Sequence, residues 1–148
     1  MGSNRPARRD FCHASCSCLA NWRFVSAKPV RSLGLETVEE TLARCEARDE
    51  RWYVAELLRI KGELAILEDA PDAAAVAEGH FLRAPDDARL QGALSWELRA
   101  TVGLARLWRD QHRAGEARET LRSVYRRFTE GIGTADLREA KSLLEELE

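Results

Sequence analysis

The sequence predicts an all-α fold of stacked antiparallel helix hairpins, an α-solenoid closed by a C-terminal capping helix. Three observations carry that prediction. Residues 95–111, SWELRATVGLARLWRDQ, place Leu98, Thr101, Val102, Ala105, Leu107 and Trp108 at helical spacing, with Arg99, Arg106 and Arg109 on the other side. Sliding the sequence by forty lays residues 56–85 on 96–125 without a gap. Leu58 then meets Leu98, and likewise Arg59/Arg99, Leu64/Leu104, Ala65/Ala105, Leu67/Leu107, Ala74/Ala114 and Ala77/Ala117. Self-similarity at one period, helical throughout, is the mark of stacked hairpins. Finally, nothing alternates with period two for long enough to make a strand.

A chain of 148 residues is one domain by length and large enough to bury a core. Its net charge of −2 is unevenly spread. Residues 1–32 hold five Arg and one Lys against the single Asp10, a net of +5, which leaves −7 for the remainder. No run of eighteen apolar residues exists, so the sequence predicts no membrane span and a cytoplasmic protein.

Residues 1–33 differ in kind from the rest and read as a disordered or vestigial basic leader. They lack helical periodicity and carry three of the four cysteines. The apolar stretch a secretory signal needs is broken by His13, Asn21 and Arg23, whereas the Arg- and Ser-rich composition overlaps with organellar transit peptides. Cys12, His13, Cys16 and Cys18 offer zinc-like donors, but Cys16 and Cys18 are too close for a comfortable chelate. Downstream only Cys45 could complete a site, so free thiols are the expectation.

From Gly34 the pattern turns helical, and residues 34–148 read as the repeat domain. Residues 36–47 put Val38, Leu42 and Cys45 on one face. Asp49 is placed to cap a helix over 51–68 whose apolar face includes Trp52, Ala55, Leu57, Leu58, Leu64 and Ala65. Pro71 ends that helix and Asp72 caps the next, which carries Ala77, Phe81 and Ala84 and is expected to kink or stop before Pro85. The second hairpin spans helices over 94–111 and 116–128. Gly131 and Gly133 make a break, and Thr134 caps a closing helix to Leu147 with Leu137, Ala140, Leu144 and Leu147 on its apolar face.

The segments ELLRIKGELAILE, SWELRATVGLARLWRDQ and FTEGIGTADLREAKSLLEELE give residues 34–147 a resemblance to a known family. They resemble the C-terminal tetratricopeptide repeats of bacterial ATP-binding signalling regulators, including adenylate/guanylate cyclase-like multidomain proteins and regulators with a DNA-binding head. Leu64-Ala65 and Leu104-Ala105 match the large–small pair of the first helix, and Ala77, Phe81 and Ala84 the small–aromatic–small motif of the second. Two departures stand out: a period of forty rather than about thirty-four, and Pro85 where such arrays usually carry an aliphatic residue. The leader matches nothing in that family and its catalytic parts are missing, which implies a truncated copy or a gene remnant.

No phosphate-cradling loop of the G-x-x-x-x-G-K-[ST] type is present. Glu145-Glu146 and Asp86-Asp87 read as solvated helix faces, and His80 and His112 lack a neighbouring nucleophile. The expectation is therefore no enzyme and no cofactor, but a protein-interaction module. The inward positions of the resembled family fall on Arg59, Ile66, Arg99, Val102, Arg106 and Arg109, implying a concave, basic groove suited to an acidic peptide or protein. The competing reading has these arginines solvating a helix face or pairing with Glu63 and Glu97. Other expectations are self-association through an end exposing Leu35, Val38 and Leu42, and, more weakly, nucleic-acid contact through the basic leader.

Overall fold

The computed structural model describes residues 28–148 apart from Asp69. Cys12, His13, Cys16 and Cys18, and the basic leader's expected nucleic-acid contacts, lie outside the described residues. The chain is all-helical, with no strand among the described residues. Helix α1 spans Lys28–Arg48 and a 3₁₀ turn spans Arg51–Tyr53. Then follow α2 Val54–Leu67, α3 Ala73–Leu90, α4 Leu94–Asp110, α5 Ala114–Tyr125 and α6 Ala135–Glu146. Consecutive helices pack on one another, and in addition α2 touches α4 and α4 touches α6.

Burial agrees at five of the seven pairs forty residues apart and differs at Arg59/Arg99 and Leu67/Leu107. Leu58 and Leu98, Leu64 and Leu104, Ala65 and Ala105, and Ala77 and Ala117 are buried in pairs, whereas Ala74 and Ala114 are both exposed. Ala77 and Ala117 are completely covered, so the helices meet there with no room for a larger side chain. One cluster joins Phe81, Leu98, Leu104, Leu121, Leu137 and Leu143 across α3 to α6. A second joins Val38, Cys45, Val54, Leu57, Leu58 and Leu64 between α1 and α2. Phe81 fills a gap opened by two glycines. A Cβ built on Gly62 of α2 would lie 2.9 Å from its Cε1, and one on Gly103 of α4 only 2.7 Å away.

Several boundaries differ from the sequence reading, each for a local reason. Helix α1 begins at Lys28, so residues 28–33 belong to it and Gly34 lies inside it rather than at a boundary. Asp49 caps nothing. It takes a left-handed φ of 55° and terminates α1, with its own N–H donating to the Glu46 carbonyl and that of Glu50 to the Cys45 carbonyl. This is the Schellman arrangement, and it recurs at Gly92 after α3 and at His112 after α4. Because residues 51–53 wind as a 3₁₀ turn, Trp52 points outward and is 59% exposed instead of joining the core.

Helix α3 neither stops nor restarts at Pro85 but runs through it to Leu90. The ring has no N–H to give to the Phe81 carbonyl, and burial of that turn offsets the loss. Ala84 and Ala88 are fully covered, Pro85 is buried, and Asp87 is bound by Arg51 of the preceding turn (3.2 Å). Asp72 and Thr134 do sit at N-cap positions, but neither side chain makes a capping hydrogen bond.

Candidate functional site: a charged face and an aromatic edge

Helix α4 touches both α2 and α6. Their side chains form a ladder of opposite charges. On α2, Arg59 is clasped by Glu56, which accepts from Nε (2.9 Å) and Nη2 (3.0 Å), and by Glu63. On α4, Arg99 reaches back to Glu56 (2.9 Å), and Arg109 reaches forward to Glu146 on α6 (2.7 Å) and to its neighbour Asp110 (3.1 Å). Arg106 lies 2.5 Å from Glu139 of α6, a charge pair without hydrogen-bond alignment.

Partial burial sets the ionisation of this face. Burial pulls Arg59 toward deprotonation, but the Glu56 hydrogen bond and the charges of Glu63 and Glu56 outweigh it and hold the guanidinium firmly charged. Burial raises the Glu63 carboxyl, which Arg59 only partly counters while Glu56 adds repulsion. The unit is a compact acid–base–acid cluster rather than an isolated cation.

The six positions expected to line a groove therefore divide. Arg59 is 7% exposed and Val102 6%, so neither presents surface to a partner: one is enclosed by carboxylates, the other packs in the core. Ile66 is 43% exposed and shares the α2 stripe with Glu63. Arg99, Arg106 and Arg109 are partly exposed, and each is already paired. Four arginines meet Glu56, Glu63, Asp110, Glu139 and Glu146, so the face carries no excess of positive charge. Apart from Asp110, its acids lie on α2 and α6, which a reading of α4 alone does not reveal.

A second feature was absent from the sequence reading. Trp52 and Tyr53 in the 3₁₀ turn and Trp96 in the first turn of α4 form an outward aromatic run, with ring centroids 4.1 Å and then 5.6 Å apart. The turns beneath it are stitched together: Gln91 Nε2 donates to the Arg51 carbonyl (2.6 Å) while Arg51 binds Asp87.

Two further polar clusters hold the frame. Glu97 is only 1% exposed and accepts from Arg89 of α3 (3.0 Å) and from Arg127 beyond α5 (2.6 Å to each oxygen). Glu78 accepts from the Trp108 indole (2.7 Å) and from Arg113 (2.8 Å), and the guanidinium lies 4.6 Å over the Trp108 ring. Glu78 does not stand out in sequence, where a Glu at helical spacing reads as solvated surface.

The residue pairs considered for chemistry have structural partners. Asp86 and Asp87 bind Arg89 and Arg51, while Glu145 and Glu146 face Lys141 and Arg109. Among the described residues no His, Cys, Asp and Glu cluster is arranged to hold a metal, and no helix is long and apolar enough to cross a membrane. Leu35, Val38 and Leu42 pack on the α1–α2 cluster, Val38 buried and the other two partly so. No family model, curated protein or solved structure matches the chain.

Proposed function

We propose that residues 28–148 are a non-catalytic helical-repeat scaffold, tetratricopeptide-like in its hairpin stacking, that binds another protein along the α2–α4–α6 face. The observation that carries this reading is the continuity of that face: a ladder of partly exposed charges with the apolar Ile66 beside it. Such a surface offers both ion-pair exchange and an apolar foothold, and it rests on helices rather than loops. The paired burial of residues forty apart, and the resemblance of residues 34–147 to the repeat region of bacterial signalling regulators, support the same assignment. On that reading the chain is the repeat part of a cytoplasmic regulator.

The charge balance refines the partner. An acidic segment has to displace Glu139 and Glu146 before it reaches Arg106 and Arg109, so affinity for acidic peptides is limited by this internal competition. Fluorescence polarisation with acidic and mixed-charge helical peptides tests it. Glu139→Gln with Glu146→Gln should tighten binding of the acidic peptide, and Arg106→Glu should abolish it. Identical affinities across these variants would mean that the face is not where partners bind.

A further inference from the structure

The aromatic run ahead of α2 and at the start of α4 belongs to neither core cluster. Trp52 is 59% exposed and Tyr53 43%, and Trp96 is half-buried beside them. Next to Trp96 lies an open depression of about 420 Å³, lined by Gly92, Ala93, Leu94 and Ser95. Large aromatic side chains gathered on the outside of a fold mark places where partners bind. The turn that carries these is held from below, because Gln91 donates to the Arg51 carbonyl and Arg51 binds Asp87. The rings are thus presented on a fixed frame, and a partner does not have to order them.

Three properties of the run select its occupant. The first is shape: the Trp52 and Tyr53 planes meet at 69°, and those of Tyr53 and Trp96 at 44°. Rings inclined in this way leave slots between them, whereas successive nucleobases need open ring faces to stack on. The second is hydrogen bonding. The indole N–H groups of Trp52 and Trp96 and the Tyr53 hydroxyl bond to no other described residue, so the edge offers donors beside apolar surface. They are hydrated in the free protein, and the complement is a chain that brings carbonyl acceptors and few N–H groups of its own. Proline-rich sequence is that chain, with pyrrolidine rings to fill the slots. The third is charge: Asp49 and Glu50 adjoin Arg48, and Arg51 is bound to Asp87, so the charges beside the rings cancel to within one. A phosphate backbone gains nothing at such a surface, which suits an uncharged segment.

We propose that the Trp52–Tyr53–Trp96 edge binds an uncharged, proline-rich segment of another protein in the polyproline II conformation. That helix has three residues per turn and rises about 3.1 Å per residue, so one turn covers roughly 9 Å. The ring centroids step by 4.1 Å and then 5.6 Å, so a single turn passes over all three rings. The segment continues over the depression beside Trp96. It is extended and stiff before it binds, so little conformational entropy is lost on docking. This assignment does not rest on the α2–α4–α6 face.

The test uses the full chain and fluorescein-labelled decaproline, with an alternating Ala-Ser decamer and a thymidine decanucleotide as controls. Fluorescence polarisation should show sub-millimolar binding of decaproline and binding of both controls weaker by about tenfold or more. Trp52→Ala and Trp96→Ala should each weaken decaproline about tenfold, since each removes one ring that lies outside the core clusters. Indole N–H signals in NMR locate the site without any variant. Those of Trp52 and Trp96 should shift with decaproline, while that of buried Trp108, which donates to Glu78, stays fixed. Absence of decaproline binding at millimolar concentration overturns the proposal. So does equal or tighter binding of either control, a shift confined to Trp108, or affinity unchanged in both variants.

Discussion

The ring of Phe81 lies so close to the backbone of Gly103 that a methyl group there would stand 2.7 Å from Cε1. Helix α3 is thus keyed into α4 by an aromatic group that needs a missing side chain. Gly103→Ala gains about 1 kcal/mol in helix propensity but overpacks the seam by roughly 1–3 kcal/mol, so a net loss is expected. Gly62→Ala, facing the same ring at 2.9 Å, should behave alike. Gly79→Ala meets nothing within 4 Å and should stabilise the protein by about 1 kcal/mol. Urea denaturation of the three variants checks the order, and Phe81→Leu in the Gly103→Ala background should recover much of the loss.

His112 and Asp49 hold left-handed conformations, φ 63° and 55°, at the ends of α4 and α1. Gly92 occupies the equivalent position after α3. A side chain pays about 1–2 kcal/mol for that conformation, less for Asp, and glycine returns part of the gain through chain entropy. His112→Gly should therefore raise stability by roughly 0.5–1 kcal/mol, and Asp49→Gly by less. Thermal unfolding reads both, and a lower midpoint for His112→Gly would contradict the Schellman assignment.

Glu97 is buried while the two arginines that hold it are partly exposed, so the cluster is asymmetric toward mutation. Replacing Arg89 and Arg127 together by Ala strands a buried charge and should cost about 3–5 kcal/mol. Glu97→Gln keeps the shape and leaves the arginines free to rehydrate, at a cost nearer 1–3 kcal/mol. Chemical denaturation of the two variants should rank them in that order.

Acid should weaken the fold in two windows. Folding lowers the His80 pKa below 6.5, so the unfolded chain takes up the proton more readily and stability falls as pH drops from above 6.5 through the folded value. Hydrogen bonds from Arg113 and then Trp108 lower the Glu78 carboxyl below 4.5, so its contribution is present above 4.5 and lost as pH falls through the folded value. His80→Gln should flatten the first window and Glu78→Gln the second. Denaturation midpoints measured across pH separate them, and a Glu78→Gln profile parallel to the parent's would rule out the carboxylate as the cause.

How much of this was legible in sequence depended on whether a residue's fate is decided locally. Ala77 and Ala117, or Leu58 and Leu98, announce themselves by spacing, because a helix buries whichever stripe is apolar. Trp52 reads as core by the same rule but falls in a 3₁₀ turn whose geometry the pattern does not encode. Pro85 reads as a stop, yet the tertiary packing of Ala84 and Ala88 overrides its local cost. The charged face was half readable. Arg99, Arg106 and Arg109 share a stripe on α4, but their partners Glu56, Glu139 and Glu146 sit thirty or more residues away and become neighbours only through packing. Glu78 carried no signal, and Glu97, read as a partner for the α4 arginines, binds Arg89 and Arg127 instead, since a buried carboxylate is recognisable only by the donors that surround it.

The principal contacts of every helix are with helices one or two places away in the chain, which bears on how the protein acquires its shape. Assembly then requires only short segments to close on themselves, and such chains reach the native state in microseconds to milliseconds. Loss of structure should start from the extremities, with α1, which rests mainly on α2, exchanging its amide protons sooner than α4 at the centre.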